Sequence, residues 1–245
     1  MIAHLGMYDR PETAAANDRL WQAIRASLGF GPTKLTRDVD FWQVWHSPDL
    51  LFSQTCGMPY RTRLHDKVTL IGTPDYGLPD CPPGHYRSIF VAHKDNAGKT
   101  LSDFSGHRFA YNEPVSQSGW AAPQCHALSH NVHFDTYLET GGHAHSAQAV
   151  ADKRADIASL DALTWALIQK YDTFAQDLIV IDQTPPTPTL PFITAKNRDP
   201  APLFAAIKFA IHAINPADRA LLHLHDIVEI PAAAYLAIPT PPPPP

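Results

Sequence analysis

Tyr111-Asn112-Glu113-Pro114-Val115-Ser116-Gln117-Ser118-Gly119-Trp120 is the stretch on which the fold turns. The residues leading into it, Arg108-Phe109-Ala110-Tyr111-Asn112, read as a strand. Pro114 marks a loop, and residues 119–130 read as a helix. A strand therefore runs through a short loop into a helix start, which is the basic unit of an α/β fold with largely parallel strands. The unpaired N–H groups of a helix start, with the positive end of its dipole, form a ready anion site. Ser116 and Ser118 add hydroxyl donors around Gln117, and Gly119 permits close approach of the backbone. A serine before a helix is also an ordinary N-cap. The Ser-x-Ser-Gly arrangement holds more donors than a cap needs.

The same alternation extends outward in both directions. Residues 1–7 read as a strand, and Pro11 stands where a helix can begin. Trp21, Ile24 and Leu28 share one face of that helix, and Gly29 ends it. A short helix around Phe41, Trp42 and Trp45 precedes strands over 49–54 and 68–72. Thr73 to Gly84 is rich in Pro and Gly and reads as loop, followed by a strand over 87–92. Helices are expected over 144–153, 162–170, 203–214 and 216–224, with strands over 156–160 and 178–181. The strand over 87–92 leads out of a first lobe, and the proline-rich run 184–188 leads back. Residues 1–88 with 186–245 are thus assigned to lobe 1, and residues 89–185 to lobe 2. The expected architecture is a two-lobed α/β clamshell: two mixed, mostly parallel sheets flanked by helices and joined by two crossings. Residues 241–245 read as an extended polyproline end without function.

Composition narrows the class. The chain has 245 residues, 44% hydrophobic and 18% charged, with a net charge of −5. That balance is globular and carries no basic field for nucleic acid. No apolar stretch is long enough to span a bilayer. The first seven residues lack a basic region, a long apolar core and a small-residue cleavage site, so no secretory signal is read. Cys56, Cys81 and Cys125 form no Cys-x-x-Cys pair, and the favoured reading is three reduced thiols, with a Cys56–Cys81 disulfide as the other.

Ligands of open α/β sheets bind beyond the carboxyl ends of the strands, so residues just after each strand are the remaining candidates. Tyr111 closes its strand, and His143 follows Thr140-Gly141-Gly142, again between a strand and a helix start. His143-x-His145 is a weak metal signal without further ligands at a recognisable spacing, and neither a metal nor a cofactor is expected. Asp161 lies just past a strand and reads either as an acceptor for a ligand amine or hydroxyl, or as the N-cap of the next helix. Lobe 1 offers Tyr8, Gln54 and Thr55 after its strands, each a ligand contact or ordinary packing.

These pieces resemble the substrate-binding proteins of the phosphate/phosphonate class of ABC importers. The likeness runs from Met7-Tyr8-Asp9 to Pro231-Ala232. It is carried by Ala110-Tyr111-Asn112-Glu113 with Ser116-Gln117-Ser118-Gly119, by Gly141-Gly142-His143, and by Ala155-Asp156-Ile157-Ala158-Ser159-Leu160-Asp161. The resemblance implies a type 2 periplasmic-binding fold and a small anionic solute. It further implies an ABC permease as partner and a periplasmic location, whereas the absent signal points to the cytoplasm if Met1 is the native start. In that family a Ser/Thr-rich turn wraps the phosphonate oxygens. The role would fall here to Ser116, Gln117 and Ser118, with Tyr8, His143 and Asp161 as the other contacts. Gln117 departs from the small hydroxyl residue usual at its position.

The leading expectation is a monomeric, non-enzymatic solute-binding protein for a phosphonate-like anion or zwitterion. A cytoplasmic ligand-sensing module and an enzyme of cofactor-precursor metabolism on the same fold are the alternatives. An enzyme would need a nucleophile beside a base, and Cys56 with His65, or Ser118 with His143 and Asp161, are the available sets.

Overall fold

Leu50-Leu51-Phe52-Ser53-Gln54 buries all five of its residues, which only a strand covered on both faces can do. The computed structural model describes residues 1–245. In chain order it begins β1 (Ile2–His4), α1 (Ala14–Leu28), α2 (Phe41–Trp45), β2 (Leu50–Gln54), α3 (Gly57–Pro59), β3 (Val68–Asp75), β4 (His85–Tyr86) and β5 (Ser88–His93). There follow β6 (Arg108–Tyr111), α4 (Ala122–Ser129), β7 (Thr136–Glu139), α5 (His143–Ala151), β8 (Ile157–Asp161), α6 (Ala162–Tyr171) and β9 (Leu178–Gln183). The last elements are β10 (Thr187–Pro188), β11 (Phe192–Ala195), α7 (Ala201–Ala213), α8 (Pro216–Leu221), β12 (Asp226–Val228) and α9 (Ala232–Leu236). Single turns of π-helix extend α3 over Tyr60–Leu64 and precede α4 over Gln117–Ala121.

The chain packs as two units, Met1–His85 with Pro188–Ala237, and Tyr86–Thr187 with Ile238–Pro245. The last eight residues were expected in the first lobe. They pack instead in the second unit, where the indole N–H of Trp120 donates to the carbonyl of Pro242 at 2.9 Å. The chain accordingly passes between units a third time, after Ala237, in addition to the two expected passages.

The sheet of the first unit has the order β1-β2-β11-β3-β12. β1 and β2 are parallel, while β11 runs antiparallel between β2 and β3 and β12 antiparallel to β3. The returning chain thus contributes the antiparallel members. A buried cluster of Val44, Trp45, Leu50, Tyr60, Leu64, Ile193 and Tyr235 packs around this sheet. α1 begins at Ala14, three residues after Pro11, because the Thr13 hydroxyl donates to the Tyr8 carbonyl and accepts from the Arg10 N–H, holding residues 8–13 in a turn. Its end at Gly29 is as expected, with φ 78° in the left-handed region.

The sheet of the second unit has the order β7-β6-β8-β5-β9. β6 is parallel to both β7 and β8, and β5 is antiparallel to β8 and β9. Along β5, Ile89 and Val91 join one buried cluster and Phe90 and Ala92 another. That period of two places helices over both faces. The core is therefore apolar on each side, and the polar residues needed for binding are left to the strand ends.

Candidate functional site

Three parallel strands of the second unit, β7, β6 and β8, end along one sheet edge. Tyr111 of β6 stands opposite Glu139 of β7, and Ala110 opposite Ala158 of β8. The loop after β6, the loop 140–142 after β7 and the β8–α6 junction consequently share that edge. This is where ligands of open α/β sheets bind.

The turn after β6 is built as a helix start. Ser116 is extended, and its Oγ accepts from the Gly119 N–H at 2.9 Å. The Ala121 N–H reaches back to the Ser116 carbonyl at 2.9 Å, a wide π-type closure. The cap role of Ser116 is thus realised; accepting that bond leaves its own hydroxyl proton free to donate. Gly119 is required by space: a Cβ there would run into Oδ1 of Asn112, a buried atom without a hydrogen-bond partner. The Ser159 hydroxyl of β8 donates to the Ser118 carbonyl at 2.8 Å, tying the turn to the central strand.

His143 opens α5 and brings its Nε2 to 3.0 Å from the Ser118 Oγ. The loop before it is fixed by the Thr140 hydroxyl, 3.0 Å from the Tyr111 carbonyl, and by the Gly141 N–H, 2.9 Å from the Asn112 carbonyl. Burial pushes the His143 pKa down to about 4. The imidazole is therefore neutral at ordinary pH. One ring nitrogen accepts and the other donates, so the hydroxyl of Ser118 has a partner able to orient it.

Asp161 is 2% exposed, and its Oδ1 accepts from the Thr164 N–H at 2.9 Å. The capping role is present, and Asp161 also lies two residues beyond Ser159 on the same strand face. Tyr111 is placed differently from a ligand contact. Its ring packs at 5.0 Å on Trp120 within the core, and its hydroxyl donates to Glu139 at 3.3 Å. Ser116, Gln117, Ser118, Gly119 and His143 are thus brought together, Asp161 stands at the same edge, and Tyr111 supports them from beneath.

In the first unit Tyr8 follows β1, Gln54 ends β2 and Thr55 comes next, at the carboxyl ends of a parallel pair. Arg37 clamps the loop carrying Tyr8 by bonds to Asp9 at 2.5 Å and Asp18 at 2.8 Å. The Tyr8 ring meets Tyr76 edge-on at 5.4 Å. Both N–H groups of the Gln54 amide are spent within the unit, on the Tyr76 hydroxyl at 2.8 Å and the Leu190 carbonyl at 3.0 Å. Thr55 is fully buried, and its N–H donates to the Pro191 carbonyl. Gln54 and Thr55 therefore hold this corner together, and Tyr8 is the half-buried one of the three. Leu5, Tyr8, Asn17, Gln54 and Tyr76 surround a recess of about 30 Å³, room for a single water. Sequence reading missed Tyr76, since it lies in a run read only as loop. It likewise gave no role to Thr140 and Asn112, whose importance is in their backbone partners.

The remaining chemistry is easily placed. Cys56, Cys81 and Cys125 form no disulfide. Cys56 caps one end and His65 the other of the helical run from Gly57 to Leu64, which separates them by roughly 13 Å at the helical rise of about 1.5 Å per residue. His145 turns its Nδ1 toward the Thr140 carbonyl rather than toward His143. No three His, Cys, Asp or Glu side chains are grouped as a metal ion would need. No helix is long and apolar enough to cross a membrane.

The chain is similar to several solved structures over nearly its whole length. PhnD1 from Prochlorococcus marinus, solved with methylphosphonate, matches with a TM-score of 0.75 at 15% identity, covering 96% of this chain and 94% of that one. A binding-protein component of an ABC phosphonate transporter from Pseudomonas aeruginosa matches with a TM-score of 0.68 at 18% identity, covering 93% and 80%. XAC2383 from Xanthomonas citri, solved with chloride, matches with a TM-score of 0.67 at 14% identity, covering 97% and 98%. At such identities the likeness establishes the fold, that of the periplasmic binding proteins. The comparison with curated proteins gives no match. The family described as ABC transporter, phosphonate, periplasmic substrate-binding protein matches residues 52–234, well over half the chain. That family consists of transport receptors, not enzymes, and the chain belongs to it: this is a phosphonate-family substrate-binding protein of the ABC transporters.

Proposed function

We propose that the protein binds a small phosphonate- or phosphate-like anion for delivery to an ABC permease, and that the turn at residues 116–119 with His143 holds the anion's oxygens. The observation that carries this reading is the meeting of Ser118 and a neutral His143 at 3.0 Å, at a helix start on the carboxyl edge of parallel strands. Nothing in that cluster is a fixed cation. An anion there is held by hydroxyls, N–H groups and the helix dipole, as suits a solute that must be released again. Tyr8 is the proposed first-unit contact, offering an aromatic face with a polar tip. Asp161 adds an acceptor that favours a ligand with an amine or hydroxyl arm.

Calorimetric titration with methylphosphonate tests the reading, with phosphate, sulfate and malate beside it. Ser118→Ala is expected to weaken methylphosphonate binding by about 1–3 kcal/mol, the cost of a lost hydrogen bond to charge. Equal affinity in the variant and the parent protein would remove the turn from the site.

A further inference from the structure

Residues 241–245 were expected to be an idle end, and the packing of the segment Ile238–Pro245 says otherwise. Six of its eight residues are proline, counting Pro239 and the run 241–245, a composition whose fixed φ favours the polyproline II helix of three residues per turn. Its exposure follows that period: Ile238, Pro241 and Pro244 are half-buried while the residues between are exposed. One edge of the proline helix thus lies on the protein. The surface beneath belongs to the second unit. Trp120 supplies the donor, its indole Nε1–H bonding the Pro242 carbonyl at 2.9 Å. The indole is itself held by Tyr111 at 5.0 Å and Tyr137 at 5.3 Å. Ile238 and Pro239 line a mostly apolar cavity of about 220 Å³ together with Gln117, Ala121 and Cys125.

An aromatic platform with an indole N–H aimed at a proline carbonyl is the chemistry by which polyproline segments are recognised. We infer that the face of the second unit around Trp120 is a polyproline-binding surface, occupied by the chain's own residues 238–245, and that this segment braces the turn 117–121. The strap meets the turn directly at Trp120, through the hydrogen bond, and shares the lining of the cavity with Gln117 and Ala121. The consequence for ligand binding rests on the proposed function of that turn; the bracing itself does not.

The test compares the full chain with one ending at Ala237 and with the full-length Pro241→Gly/Pro244→Gly variant, which keeps the segment but removes its two half-buried proline rings. Without ligand, hydrogen exchange at the Trp120 indole and at the backbone N–H groups of 117–121 is expected to quicken at least about tenfold in both. A peptide of sequence 238–245, added at millimolar concentration, is expected to restore protection in the truncated chain. Methylphosphonate affinity is expected to fall by about 3- to 10-fold in both altered proteins. Unchanged exchange in a folded altered protein overturns the bracing. Quickened exchange with unchanged affinity overturns its link to the ligand. Quickened exchange when even the full chain binds no methylphosphonate leaves the strap standing and defeats the ligand reading instead.

Discussion

Ser118, Gly119 and His143 carry the account at the scale of single residues. The neutral state of His143 has a measurable consequence for folding. Its pKa is about 4 in the folded chain against an ordinary 6.5, so between these values the unfolded chain binds a proton that the folded chain refuses. The stability contributed by the buried neutral ring is present above pH 6.5 and is lost as pH falls toward 4. Urea denaturation across that window is expected to show a loss of about 1–3 kcal/mol that His143→Gln abolishes. Gly119→Ala places a methyl group against Asn112 and is expected to destabilise the fold by about 1–3 kcal/mol, read from the same denaturation curves. Residue types at these positions were legible in the sequence. Tyr111, Gln54 and Thr55 were read as contacts because they stand at strand ends, yet position does not show where a polar group spends its hydrogen bonds. Tyr111 spends its hydroxyl on Glu139, and Gln54 spends its amide on Tyr76 and Leu190.

Elements were legible where their pattern was long. α1, α5, α6 and α7 and the apolar strands β2, β5, β6 and β8 follow from periodicity, with ends shifted by a few residues where caps intervene. β7, Thr-Tyr-Leu-Glu, was expected only as a strand of unstated bounds ahead of Thr140, because it is an edge strand with no fully buried residue and so lacks a clear alternation. β11, Phe192–Ala195, was hidden behind the proline-rich run, and β12 has three residues, too few for any period to appear. The junction of β8 and α6 offers a clean test at this scale, because Asp161 caps the helix and is also a proposed ligand acceptor. Asp161→Asn keeps the cap and is expected to fold with nearly parental stability, whereas Asp161→Ala is expected to lose about 1 kcal/mol in thermal or chemical denaturation. Both are expected to weaken binding of an aminoalkylphosphonate by more than binding of methylphosphonate, since only the former has an amine for the carboxylate.

At the scale of the whole molecule, alternating strands and helices announced an α/β chain that leaves one unit and returns. Antiparallel pairing enters each sheet through particular strands: β11 and β12 of the returning chain, and β5 with its neighbour β9. The third passage escaped sequence reading because a proline run shows its own stiffness but not the surface that receives it. Family membership supports a solute-binding role, while identities of 14–18% to solved relatives leave the ligand to the chain's own residues. Gln117 is nearly fully buried within the proposed binding turn, where the family resemblance implies a small hydroxyl.

The central claim is that a small phosphonate is gripped by the turn after β6, and amide NMR of the labelled protein during methylphosphonate addition tests it most directly. The account predicts that the backbone signals of Gln117, Ser118 and Gly119 and the ring signals of His143 shift together and saturate at one equivalent of ligand. Saturation with the largest shifts elsewhere and these signals unmoved would contradict it.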